Sequence, residues 1–206
     1  MANENDLMNS TSKELLEKHP LVKSEMIDWL KAVIASIVLV FIIRWLLFAP
    51  FIVEGASMEP NFKTDERVVV NKLIYSLRDP KPGEVTVFHV RKEGKDFIKR
   101  VIGVAGDQIQ YQGDHLYVNG KKVEEPYIQG AVQAAHAKGE QYNNVDFPNG
   151  TITESKVPEG YIFVMGDNRN NSRDSRAIGF VPIKDIVGRA DAIFWPLDNV
   201  QWVRHR

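Results

Sequence analysis

Three short stretches hold residues able to do chemistry. The first is Phe51–Pro60, FIVEGASMEP, where an apolar run leads into Gly55-Ala56-Ser57 and then a proline turn. A serine leaving a strand beside small residues can project its Oγ while nearby backbone N–H groups stay open to a developing oxyanion. It is not a Gly-x-Ser-x-Gly elbow, because Glu59 stands where the second glycine would be and no helical pattern follows. An ordinary turn serine has the same local context. The second stretch is Asp96–Asp107, DFIKRVIGVAGD. Strand alternation puts Phe97, Lys99 and Val101 on one face, and Ile98, Arg100 and Ile102 on the other. A lysine held among apolar neighbours loses hydration of its ammonium form, and its pKa falls. Being largely neutral at about pH 8 requires a drop of about 2 from the ordinary value, or roughly 3 kcal/mol. Such an amine can take the proton of a serine hydroxyl. A strand lysine that keeps its head in water satisfies the same alternation. The third stretch is Gly166–Pro182, GDNRNNSRDSRAIGFVP, whose polar run Asp167–Arg173 reads as a loop capping its own backbone. Apolar residues on both sides pull that loop toward the core's edge, where buried polar groups must be paired.

Other chemistries are poorly supplied. The chain has no cysteine, which removes disulfides, thiol catalysis and thiolate metal sites. The histidines at 19, 89, 115, 136 and 205 show neither i,i+4 pairing nor an HExxH pattern, so no metal site is expected. A Ser-His-Asp arrangement using His89 or His115 stays open, although neither has a distinctive context. Net charge is −1 over 206 residues, from 26 Lys+Arg and 27 Asp+Glu, which gives no basic footprint for nucleic acid.

The elements that must position these stretches are mostly strands. Arg67–Leu73, Glu84–Val90, Asp96–Val104, Gln108–Gln112, His115–Val118, Lys121–Glu124, Tyr161–Met165 and Ala192–Trp195 are short runs rich in Val, Ile, Tyr and Phe. Asn119-Gly120 predicts a tight hairpin, and Pro182–Val187 predicts one helical turn. Residues 126–158 read as an irregular excursion with a short helix around Ala131–Ala137. Before all of this lies Trp29–Phe48, WLKAVIASIVLVFIIRWLLF, twenty residues interrupted only by Lys31, Ser36 and Arg44. As a helix it would be about 30 Å long, the hydrocarbon thickness of a bilayer. The preceding 28 residues carry six acids against three lysines, unlike the basic start of a cleavable signal, so an uncleaved anchor is expected. Within that tail, Thr11-x-x-Glu14 predicts a capped helix ended by Pro20. The expected organisation is a cytoplasmic tail (1–28), a transmembrane helix (29–48) and one mainly β extracytoplasmic catalytic domain (49–206).

Taken together and in order, the anchor, GASMEP, ERVVVNKLIY, DFIKRVIGVAGD, GDNRNNSRDSRAIGFVP and VGRA resemble the type I signal peptidases, membrane-anchored serine proteases that remove signal peptides from exported preproteins. One anchor and a compact outer part are more similar to the Gram-positive members. The resemblance implies Ser57 as nucleophile and Lys99 as general base. It implies Ser172 as the serine orienting the lysine, and Asp174 with Arg176 as a supporting ion pair. It implies that strands around Val53 and around Phe97–Ile98 sandwich an extended substrate, with Met58, Phe62 and Ile98 lining shallow pockets for small side chains. It implies no cofactor and no metal; the partners it implies are preprotein signal peptides and membrane lipid. The sequence departs from many Gram-negative relatives at Gly55, where a hydroxyl residue would serve the oxyanion, and at Asn170, where aspartate is frequent.

Two other readings fit parts of the sequence. A LexA-like Ser/Lys protease would cleave its own chain, but the sole Ala-Gly pair, Ala105-Gly106, falls in the strand-and-turn region, and residues 1–28 are too short for a DNA-binding domain. A non-catalytic, membrane-tethered β module would tolerate loss of Ser57 and Lys99.

Overall fold

The computed structural model describes residues 25–42 and 48–205. The chain separates into two compact units, Met1–Leu46 and Leu47–Arg206. In the first unit residues 25–42 are helical (α1), with large apolar side chains such as Trp29, Ile37 and Phe41 exposed. No helix among the described residues is long and apolar enough to cross a membrane. The expected span runs on through 43–47, and the expected capped helix at Thr11–Glu14 precedes residue 25; both lie outside the described residues. The helical boundary expected at Phe48 falls earlier, because Phe48 opens a strand.

The second unit is mainly β. Its principal sheet contains β1 (Phe48–Ile52), β2 (Arg67–Asn71), β3 (Val85–Val90), β4 (Lys95–Val104), β8 (Tyr161–Met165), β9 (Val181–Pro182), β10 (Ile186–Trp195) and β11 (Gln201–Trp202). The order is β1-β2-β10-β3-β4-β8-β9, every pair antiparallel, with β11 on β10. A three-stranded meander, β5 (Ile109–Gln112), β6 (His115–Val118) and β7 (Lys121–Val123), turns at Asn119-Gly120 as the hairpin signal predicts.

Apolar alternation explains the layering, since a strand residue and the next point to opposite faces. Val85 and Val87 of β3, with Ile98 of β4, join Val53, Met58, Phe62, Val68, Val70, Ala190 and Ile193 in one core. Phe88 and Val101, from the other face, join Ile162, Val164 and Val181 in a second. A third core, including Ile102, Tyr111, Leu116, Phe147 and Phe163, joins the meander to the sheet. Full burial of each such side chain is worth about 1.5–3 kcal/mol.

Two expectations need correction. β10 starts at Ile186, not Ala192, so the helical turn expected over Pro182–Val187 shrinks to a 3-10 turn at Ile183–Asp185. The polar positions that hid this strand are paired: Arg189 bonds to Glu84 and Asp191. The short helix expected near Ala131–Ala137 forms at Gln129–His136 (α3), after a one-turn α2 at Ile74–Leu77.

Candidate active site

After β1 the chain stays tied to β2's approach, with Val53 N–H donating to Glu66 O (2.8 Å) and Asp65 N–H to Val53 O (2.9 Å). Gly55 then adopts φ +81°, left-handed backbone that costs a side chain strain, and redirects the chain. Ser57 follows, half-buried between the fully buried anchors Val53 and Met58, and the Phe62 N–H closes the next turn on Met58 O (3.0 Å). The nucleophile candidate is thus set on a loop pinned at both ends by core side chains.

Lys99 comes from the middle of β4 and is only 4 % exposed. Its Nζ lies 2.6 Å from Ser57 Oγ and 2.9 Å from the Ile98 carbonyl, with the Phe97 ring centroid at 5.2 Å. Burial pushes the ammonium down to about 8, against the upward pull of the Asp174 and Asp167 carboxylates. A strand lysine with its head in water would show neither feature.

The third wall is the loop that follows β8. Asn168 N–H donates to Ser57 O (3.1 Å) and its Nδ2 to Ala56 O (3.0 Å), so two bonds fix the backbone beside the nucleophile. Gly166 permits this approach: a Cβ there would sit 2.4 Å from Ser57 O and 2.1 Å from Ser172 Oγ. Asp174 caps the one-turn helix α4 (Ser175–Ile178), accepts from Gly166 N–H (3.0 Å), and receives Arg176 Nε and Nη2 at 2.9 and 2.7 Å. Burial alone would raise the Asp174 carboxyl; the Arg176 guanidinium and the Gly166 N–H hold it below the ordinary carboxylate range.

Not every expected residue occupies the expected place. Ser172 stands beside Gly166, where its buried hydroxyl helps hold the Asp174 carboxyl down, and the two bonds of Lys99 go to Ser57 and Ile98. Beside Ser57 opens a cleft of about 490 Å³ lined by Phe51, Ile52, Glu54, Phe97, Ile98 and Arg173, among others. Phe97 and Ile98 are in its wall as expected. Val53, Met58 and Phe62 are not: their side chains are buried in the core under the Ser57 loop, which they anchor.

The sequence reading missed several buried groups that hold this loop. Arg100, the residue after Lys99, forms a bidentate pair with Asp167 (2.8 and 2.7 Å) and stacks 3.9 Å from the Tyr127 ring centroid. Arg169 donates to Gly166 O (3.0 Å) and pairs with Glu125 (2.9 and 2.6 Å). The density of arginine and acid in the loop was visible; their partners, 44 and 67 positions away, were not.

Comparison with known proteins gives the chain's family. The family model for signal peptidase, peptidase S26, matches residues 26–195. A protein named signal peptidase I P, from Bacillus subtilis subsp. natto, is 40% identical over 188 residues, covering 91% of this chain and 98% of its own. Signal peptidase IB of Staphylococcus aureus (strain MRSA252) is 37% identical over 185 residues, covering 88% of this chain and 95% of its own. A crystal structure of a signal peptidase I from Enterococcus faecalis V583 is 35% identical and covers 53% of this chain and 95% of that one, with a TM-score of 0.49. With the match running from α1 to the end of β10 and taking in the Ser57, Lys99 and Asp174 stretches alike, this chain belongs to the signal peptidase family, peptidase S26, whose members are serine endopeptidases.

Proposed function

We propose that the chain is a signal peptidase I that cuts signal peptides from exported preproteins after small residues, with Ser57 as nucleophile and Lys99 as general base. The observation that carries this is the 2.6 Å approach of a buried lysine amine to a serine hydroxyl on a cleft wall. An extended preprotein segment would lie between the chain leading to Ser57 and the start of β4, adding to them by main-chain hydrogen bonds. Neutral Lys99 takes the Ser57 proton as Oγ attacks the carbonyl carbon, giving a tetrahedral oxyanion and an ammonium. The ammonium then protonates the departing amine, leaving an acyl-serine. Water, deprotonated by the same amine, releases the signal peptide's new carboxylate and restores Ser57.

The supporting groups have distinct tasks in this reading. The buried amine needs a third acceptor once it is an ammonium, and Ser172, the serine that family likeness assigns to the lysine, would supply it. Arg176 neutralises Asp174, so its carboxylate raises the Lys99 pKa less than a bare charge would. The Ser57 N–H would serve as a backbone donor for the oxyanion, Gly55 having no hydroxyl. The apolar run that begins at Trp29 and ends before Phe48 would anchor the enzyme, leaving the β unit from Phe48 onward outside the membrane and 1–28 in the cytoplasm. The run's length and apolar character support this, and so do the exposed apolar side chains of α1. Anchoring confines enzyme and substrate to one surface, raising their effective concentration.

The test is cleavage of a purified preprotein by the full chain, by Ser57→Ala and by Lys99→Arg. The arginine keeps the charge but cannot become neutral. Both variants should lose at least about 10²–10⁴ of the rate, the range assigned to general acid–base catalysis. Wild-type activity should rise with pH through a limb at about 8. Retained cleavage by either variant, or a limb that disappears on replacing His89 or His115, would reassign the machinery.

A further inference from the structure

The segment between the meander and β8 touches the loop after β8 through several side chains, among them the buried Asn143. Asn143, 2 % exposed, accepts from Arg176 Nη1 at 2.6 Å with its Oδ1. Its other groups are also engaged: the backbone N–H donates to Asp114 Oδ1 (2.7 Å) and Nδ2 to Asp146 Oδ1 (3.2 Å). Asp114 takes a second backbone bond from Tyr142 N–H (3.2 Å) and lies 2.6 Å from His136 Nε2 at the end of α3. Tyr142 in turn donates its hydroxyl to Asp167 O (2.8 Å), and Asn144 Nδ2 donates to Asn170 O (2.9 Å). Three consecutive side chains, 142 to 144, therefore grip the loop that carries Asp167, Ser172, Asp174 and Arg176.

The middle one has a chemical consequence. Arg176 uses Nε and Nη2 on Asp174 and Nη1 on Asn143, so Asn143 sets where the guanidinium lies relative to that carboxylate. The groups that bear on Lys99 are Asp174 and Asp167, both pulling its pKa upward, with Ser57 Oγ and the Ile98 carbonyl on the amine itself. A guanidinium held on Asp174 opposes that carboxylate's pull. One allowed to drift leaves it exposed in a low-dielectric site, where charges act strongly.

We propose that Asn143 is a positioning residue for the catalytic lysine: by fixing Arg176 on Asp174, the 142–144 clasp keeps the base neutral and aligned in the pH range where it works. This rests on the reading of Lys99 as general base. The segment that composition marked as an irregular excursion is, in this reading, a brace for the active site.

The test uses the full chain in vesicles with a purified preprotein, recording kcat, KM and thermal melting against pH for three proteins. In Asn143→Leu the acceptor is gone: kcat should fall by about tenfold to a hundredfold, as expected for a lost bond to a buried charge. KM should be nearly unchanged, and the basic limb should move to higher pH. In Asn143→Asp/Asp146→Asn the acceptor is kept and the acid relocated. Plateau kcat should return toward wild type, while the limb stays displaced upward because negative charge now sits on Arg176. Wild-type kcat and limb in Asn143→Leu would overturn the proposal. So would a loss that follows the melting temperature and is not recovered in the double variant. If Asn143→Leu does not fold, the limb of the double variant decides: displaced supports, unmoved overturns. Lys99→Arg run alongside separates the two levels, since its retained activity would remove the base reading itself.

Discussion

Lys99 and Arg100 are consecutive residues of one strand, both cations and both withdrawn from water, yet the fold treats them oppositely. Arg100 points away from the cleft into a pocket with a carboxylate: Asp167 takes two of its N–H groups, and the Gly83 and Arg204 carbonyls take Nη1 (2.9 Å each). Burial disfavours its charge and Asp167 more than restores it, so the guanidinium stays charged. Lys99 points the other way, where only a hydroxyl and one carbonyl meet the amine and the nearest carboxylate is already claimed by Arg176. The same strand thus makes a structural cation by supplying a counter-charge and a reactive amine by withholding one. In the proposed function the omission of a partner is what makes Lys99 usable as a base, and burial without pairing is the signature of such a site.

The contrast can be broken from either side, and the largest stability change is expected from the paired cation. Arg100→Met strands Asp167 in the interior with only Asn61 on it (2.8 Å), and should cost about 3–5 kcal/mol in denaturant unfolding. A loss below about 1 kcal/mol would mean that Asp167 takes up a proton or water at little cost. The unpaired cation should behave inversely. Its pKa is lower folded (about 8) than unfolded (10.5), so the folded state sheds a proton that the unfolded state keeps. The resulting penalty is complete below about pH 8 and fades as pH climbs to 10.5. Lys99→Met should therefore be inactive but more stable than wild type by about 3 kcal/mol at neutral pH, with the gap closing in alkaline buffer. Parallel melting curves for the two proteins across that range would contradict a depressed lysine.

A smaller sharpening lies across the ladder. Thr86 pairs with Lys99 in register, is fully buried, and its Oγ1 has no hydrogen-bond partner. An unmade buried hydroxyl is costly, so Thr86→Val should stabilise the fold by about 1 kcal/mol. Differential scanning of the pair in one buffer reads this directly. A lower melting temperature would show that the hydroxyl has a partner after all.

What the sequence discloses follows the range of the interactions. Strand alternation is local, and it placed Lys99 and Arg100 on opposite faces; the Asn119-Gly120 turn is equally local. The end of β10 was legible in Ala192–Trp195, but Gly188-Arg189-Ala190-Asp191 broke the apolar pattern, because Arg189 is satisfied by Glu84, more than a hundred residues earlier, and Asp191 by Arg189 and the equally distant Asn71. The nearness of Ser57 and Lys99 came from likeness to a family, not from alternation, which fixes a face and no distance. Met58 and Phe62 were read toward the substrate because they sit next to the nucleophile. The turn closing on Met58 O instead rotates both into the core. Residues 126–158 looked featureless because their work is done by single polar side chains, such as Tyr142 and Asn143, each aimed at a partner elsewhere in the chain.

The hydrogen atom that serves as Gly166's side chain acts as a spacer gauge. It sets the gap between the serine's own peptide and the loop bearing its supporting acid to bare backbone thickness, since one added methyl would press on the Ser57 carbonyl and the Ser172 hydroxyl together. Two parts of the chain more than a hundred residues apart are brought to register by the smallest residue available. Position 166 admits no side chain without forcing the two apart.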